Sequence, residues 1–337
     1  SPSIESFQQL KQVNIDSSAR CDDSFAVNSR GDIILLHGDK ITVIYSTGEN
    51  KDVMFPDTTE KNVRSSGGES VAVDSDDNVY AVRRRKVRDE NSDTKYDFVL
   101  YAFDENYNIK NVCVLDFLRT GESPLVDIAV DKNENLDFLP TQTRSFVNIA
   151  VDKNQNLIML TNWNNQVHVC DNTGKLKFQF QRDGRWLRSL SISNNNDVMM
   201  VVSNKDLFST LVCPYWCIPN DDSTIRTYST EGDLKSTIKV PDGHAALHAA
   251  FHHGICKIIV LTYVWKEDSS FLLCYSEKGE LKNSMFFRKQ DAAMGIFSTG
   301  MKSHPSGPVA VRYKNSVSFI YEYELFNFCA DNRSNYT

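Results

Sequence analysis

No apolar run in the 337 residues approaches the ~18–20 residues of a membrane-spanning helix, so that class of integral protein is excluded and no membrane partner is expected. Proline and glycine are sparse, at 9 and 15 residues, which excludes collagen-like and low-complexity chains. Neither charge sign dominates: 37 Lys and Arg stand against 44 Asp and Glu, a net charge of −7. That balance argues against a protein coated in nucleic acid, though not against a local basic patch. Long stretches of 3.6-residue periodicity are missing, which excludes helical bundles and α/β folds. The catalytic signatures G-x-S-x-G and H-E-x-x-H are absent, as is a glycine loop that could cradle phosphate, so catalysis has no positive support. What remains is an ordinary globular composition, 41% apolar, with ample core for one large β architecture.

Eight cysteines occur at irregular spacing, several inside apolar strand-like runs such as Asn111-Val112-Cys113-Val114-Leu115. Cysteines so placed serve as small buried hydrophobes, and the expectation is a reducing, cytoplasmic compartment. Cys213-Pro214-Tyr215-Trp216-Cys217 lacks a second matching pair, so zinc is not expected there. In a secreted protein that pair would form a small-loop disulfide, and in the cytosol at most a loop staple. The chain starts Ser1-Pro2-Ser3, which suggests an excised or processed piece in which a trimmed leader would leave no trace. Two glycosylation-type triplets, at Asn332 and Asn335, are short enough to arise by chance.

What recurs is a phrase: a small-apolar pair, a polar turn, then a second apolar run. It reads Phe25-Ala26-Val27-Asn28-Ser29-Arg30-Gly31-Asp32-Ile33-Ile34 and returns at 71–80, at 149–158 and, weaker, at 190–199. Degenerate copies follow at Ala249-Ala250-Phe251 and Val309-Ala310-Val311. The small anchors Ala26, Ala72, Ala150, Ser191, Ala250 and Ala310 are expected on innermost strands, where strands crowd toward an axis. Each unit is read as continuing into two more strands joined by a tight Gly turn, as in Asp171-Asn172-Thr173-Gly174-Lys175, where Asp, Asn or Glu beside Gly supplies positive φ. Anchors roughly 40–80 residues apart, with four strands per unit, predict an all-β, six-bladed β-propeller. The whole chain, 1–337, is expected to be one propeller domain. Its blades should cover about 24–55, 70–115, 124–182, 189–240, 249–287 and 298–325, and the leading segment 7–15 should close the ring as the outer strand of the last blade. The phrase at 126–136 is nearly repeated at 147–157, and 21 residues suffice for one hairpin but not a four-stranded blade. It is read as an extra hairpin or bulging loop, with a collapsed seventh blade as the alternative.

Asn164-Asn165-Gln166-Val167-His168-Val169-Cys170-Asp171-Asn172-Thr173-Gly174-Lys175-Leu176 resembles the second half of an NHL repeat, and Ala150-Val151-Asp152 with Asn156-Leu157 resembles the first half. The likeness is closest over 145–180, and blades four to six lack the Asp after the small-apolar pair. The resemblance implies an NHL-like propeller of the kind that ends tripartite-motif (TRIM-NHL) ubiquitin ligases. Ligation and oligomerisation would then belong to segments outside this chain, and the parent could be a RING-type ligase.

In a propeller the turns within the first and second hairpins of each blade share one face, here called the bottom. The bottom turns read as short and acidic, as expected of solvated turns. Long insertions at 56–69, 83–97, 180–188, 203–223 and 288–307 fall on the predicted top. Trp163, Trp186, Trp216 and Trp265 lie in or beside top connections, either as a binding surface or as wedges between blades. The basic run Arg83, Arg84, Arg85, Lys86 and Arg88, with Arg64, Arg182, Arg185 and Arg188 on nearby loops, forms a candidate phosphate-binding ridge beside Trp186. The acidic Asp89, Glu90, Asp93 and Asp97 follow directly, so a solvated charged hairpin is the competing reading. His244, His248, His252 and His253 crowd a short stretch, but a strand spreads such residues along its length and no metal is expected.

Two functions follow. The first is a non-enzymatic recognition module that binds a protein substrate, or single-stranded or structured RNA, through its top face, with no cofactor. The second is a metal-dependent hydrolase or lyase with its site in the central channel.

Overall fold

The computed structural model describes residues 12–15, 24–37, 39–56, 63–88, 94–118, 129–130, 136–137, 147–161, 165–183, 186–203, 222–289, 299–305, 309–313 and 316–320. Six four-stranded antiparallel sheets form, each in simple meander order outward from one strand. The innermost strands are Ser24–Val27, Val63–Val73, Val147–Val151, Trp186–Ile192, His244–His252 and Thr299–Ser303. Each innermost strand packs beside the next and the sixth beside the first, which closes a ring. The fold is a six-bladed β-propeller.

The ring is fastened by Gln12–Asn14, which pairs with Ser316–Ile320 as the outermost strand of blade six. Without it, the Val317 and Phe319 strand would end the blade as an open hydrogen-bonding edge. The first copy of the duplicated phrase makes a two-stranded hairpin, Ala129 opposite Asp137 and Val130 opposite Leu136.

Hydrophobic layers lie between blades, one per junction. Between blades one and two, for example, Ile34, Ile41 and Val43 meet Val71, Val79 and Tyr101. Inner and middle strands are sandwiched on both faces, so they read as unbroken apolar runs; every residue of Val198–Ser203 is buried. Each Val, Leu or Ile so enclosed contributes about 1.5–3 kcal/mol. The outer strands alternate instead, as in Leu281–Lys289, because one face meets water.

Five of the six expected anchors occupy innermost strands: Ala26, Ala72, Ala150, Ser191 and Ala250. Ala310 does not. It sits on the second strand of blade six, directly opposite Lys302 on the innermost strand. In the other blades a small inner residue faces a large partner, such as Ala26 with Ile34, Ala72 with Tyr80 and Ala150 with Ile158. Blade six exchanges the two sizes, so its small residue marks the wrong strand and Lys302 holds the sixth inner place.

The stretches 63–69, 83–88 and 94–97, read above as parts of top loops, are β-structure. Blade two carries strands of 10 and 11 residues, Val63–Val73, Val79–Arg88 and Thr94–Phe103. Local pattern reading missed this because a run of consecutive basic residues imitates a loop, although their backbone joins a ladder. The cysteine expectation also needs correction. Cys170 is a buried free thiol as expected, but Cys113 is free and only partly buried, Cys256 is free and exposed, and Cys274 is disulfide-bonded to a partner outside the described residues. A disulfide runs against a reducing compartment.

Candidate functional site

The bottom turns repeat one local solution. Asp74 Oδ1 accepts from the backbone N–H groups of Asp76 and Asn78, both at 2.9 Å, and its Oδ2 accepts from the Asn78 amide. Asp152 does the same with Asn154 and Asn156, and Asp104 with Asn106 and Asn108. Ser193 and Ser229 hold the equivalent places with a hydroxyl. The acidic turn residues are therefore caps that satisfy the chain at its reversals, beyond their expected role as solvated groups.

One of these turns ties three blades. Asp77, at φ 64°, accepts from Ser29 N and Ser29 Oγ of blade one, and His304 of blade six lies 3.1 Å from its Oδ1. His304 is fully buried and its Nε2–H also donates to the Asp74 carbonyl at 2.9 Å. Burial pushes the His304 imidazole below its usual value despite both oxygens.

Channel walls are built from the inner strands. Each inner strand has one unpaired edge, and serines of the preceding blade bond several of its N–H groups: Ser24 takes Val71 N, Ser70 takes Ile149 N, Ser189 takes Ala249 N and Ser191 takes Phe251 N. The sequence signal is a serine two residues before an anchor, or at it, which passes for a generic polar residue. The bottom half of the channel is lined by the small anchors Ala26, Ala72 and Ala150 with Ser191, Ser193, Ser303, Lys153, His253 and Lys302. Loss of hydration pushes the Lys302 ammonium down to about 8. His253 donates its Nδ1–H to Asn194 Oδ1 at 2.7 Å, and burial followed by the Lys153 charge pushes it down to about 4.

The arginines singled out from sequence go to separate places. Arg83 is 1% exposed, with its guanidinium 4.2 Å from the Phe55 ring centroid and 5.8 Å from that of Tyr101. It is an interior side chain, and replacing it by Glu would place a carboxylate against two rings. Arg84 and Arg85 are partly exposed, and Arg85 lies 3.9 Å from Asp97 across the ladder. Arg182 is 2% exposed, and burial pushes it down to about 10. Arg188 donates to the Ala246 carbonyl at 2.7 Å, linking blades four and five. Arg64, Lys86 and Arg88 lie on blade-two strands, and Trp186 starts the inner strand of blade four; their side chains lie outside the description, as do Trp163, Arg185 and Trp216 altogether. Trp265 packs edge-on to Tyr263 at 4.8 Å and against the layer between blades five and six, which is the wedge reading. The described arginines thus share no common ridge.

No protein-family model matches the chain, nor does the sequence of any curated protein. Among solved structures, a chain of the Mitotic Checkpoint Complex is similar over 95% of this chain and 93% of its own, at 9% identity and a TM-score of 0.50. The β-propeller domain of Myceliophteria thermophila Cps50 (Swd1) is similar over 88% of this chain and 81% of its own, at 12% identity and a TM-score of 0.49. A Bacteroides caccae protein of unknown function is similar over 78% and 81%, at 10% identity and a TM-score of 0.48. At such identities the likeness bears on the fold alone. The propeller assignment stands on strand order, and the NHL likeness stands on the residues quoted for it.

The clustered histidines are dispersed. His244, His248 and His252 lie along one strand, paired opposite Val264, Leu261 and Lys257. A rise of ~3.3 Å per residue sets successive members roughly 13 Å apart. Among the described residues no three His, Cys, Asp or Glu side chains converge. No helix among them is long and apolar enough to cross a membrane.

Proposed function

We propose that this propeller is a non-enzymatic recognition module whose top face holds a protein partner. The observation that carries the reading is an asymmetry of connections. The bottom turns between paired strands take only four or five residues, as at 28–32, 74–78, 171–175 and 253–256. The long connections, 115–146, 204–223 and 290–298 among them, all leave from the opposite ends of the strands. The long connections thereby depart from one face of a rigid scaffold, the arrangement by which scaffolds present binding loops. In the setting that the NHL-like phrase implies, the module would choose substrate or RNA for a tripartite-motif ligase. Arg84 and Arg85, partly exposed, are then the described members of the basic run that could meet such a ligand.

Photo-crosslinking residues placed at Asp242 and Lys266 on the top, and at Thr47, Asn172 and Glu277 on the bottom, test this in cells. Mass spectrometry should recover a common protein from the top positions only. Equal recovery from both faces would sink the face assignment. RNA recovered in place of protein would replace the ligand class.

A further inference from the structure

Among the described residues, the bottom half of the channel carries two ammonium groups and no acid. Its lining includes Lys302, which is partly buried, Lys153, which is exposed at the mouth, His253 and three serines, with apolar anchors between them and neither Asp nor Glu. Nearby carboxylates are engaged elsewhere: Asp152 caps its own turn, and Asp77 takes Ser29 and His304. Among the described residues neither Lys302 nor Lys153 has an ion-pair or hydrogen-bond partner for its ammonium. Five other blades place Ala or Ser where blade six places Lys302, so the packing at this radius needs no long side chain. The partly buried Lys302 ammonium has lost hydration without gaining a counter-charge, and a bound anion offsets that cost.

Size narrows the ligand. The space open to the centre of a water-sized sphere is about 50 Å³, against roughly 10–15 Å³ for a single water. That admits a few waters or one small oxyanion. Hydroxyls suit the remaining oxygens: Ser191 Oγ and Ser303 Oγ approach to 3.5 Å across the channel, from blades four and six.

We propose that the bottom half of the channel is a binding site for a small, free oxyanion of the phosphate class, held by Lys302 and Lys153 with the channel serines. The site is independent of the top-face reading, since it lies on the axis and toward the opposite face.

Thermal unfolding with increasing inorganic phosphate, at ionic strength held constant with chloride, tests it. A saturable rise in Tm is expected for the parent protein. Lys302→Met should fold, because a methionine keeps the length and removes the partly buried charge, and should weaken phosphate binding roughly tenfold or more, as loss of a charged hydrogen bond does. Lys153→Ala should weaken it less. No response beyond chloride, or an unchanged response in Lys302→Met, would overturn the site. Stabilisation by phosphoserine but not by inorganic phosphate would overturn the assignment to a free anion.

Discussion

Five of the second-hairpin turns on the bottom face place a residue at positive φ, and two glycines there separate backbone strain from packing. Gly48 has φ +93° and nothing within 4 Å of where a Cβ would stand. Gly232 has φ +98°, but a Cβ there would meet the Phe180 side chain of the preceding blade at 2.6 Å. Gly48→Ala should therefore cost only the left-handed penalty, about 1–2 kcal/mol. Gly232→Ala should cost a further 1–3 kcal/mol or so, since the ring must shift. Urea denaturation midpoints of the two variants measure the difference, and equal losses would refute the packing contribution. Arg83 makes a related point about single residues. A charge inside a strand is read as exposed until the aromatic pair that covers it, Phe55 and Tyr101, is known.

Elements of different blades meet at two bottom turns that hold imidazoles, His304 against the first turns of blades one and two and His253 against Asn194 of blade four, and both are sensitive to acid. His304 and His253 both have imidazoles held below the ordinary value of 6.5 by burial, His253 down to about 4. A group with a depressed folded pKa contributes stability fully present above its unfolded pKa and lost as pH falls through the folded one. Stability should accordingly decline between pH 6.5 and 4, as the unfolded chain binds protons that folded His253 refuses. The groups around that ring, Lys153, His252 and His304, act in the same direction when charged. Tm measured against pH should show the decline, and His253→Gln should flatten part of it. A parent curve already flat over that window would show that these imidazoles are hydrated in solution.

Across the whole molecule, closure is what turns six marginal sheets into one body. Non-covalently it comes from Gln12–Asn14 on blade six and from the sixth hydrophobic layer, where Phe25 and Ile33 meet Ala310 and Phe319. Gly300 serves the same junction, because a Cβ there would stand 2.8 Å from the Phe25 ring. Covalently, Cys274 in blade five adds a crosslink. A digest of alkylated, unreduced protein should recover the Cys274 peptide joined to another cysteine peptide, with Cys113, Cys170 and Cys256 alkylated. Reduction should lower stability by roughly 2–4 kcal/mol. Recovery of Cys274 as an alkylated thiol would return the chain to the reducing reading.

Much of this was legible without coordinates. The turn chemistry is local, so Asp, Asn and Gly at fixed offsets determined where the chain reverses, and five of six inner strands followed from their small anchors. The closing strand followed from counting, since three strands remained for the last blade. Tertiary structure alone decided the rest. Whether a small residue stands on the first or second strand of a blade depends on its partner across the ladder, and Lys302 with Ala310 inverts the usual pair. The serine bonds that line the channel join residues 47 to 79 positions apart. The burial of Arg83 depends on Phe55 from the neighbouring blade. Such contacts leave no local periodicity, because the distance that matters is set by the closure of the ring and not by the spacing along the chain.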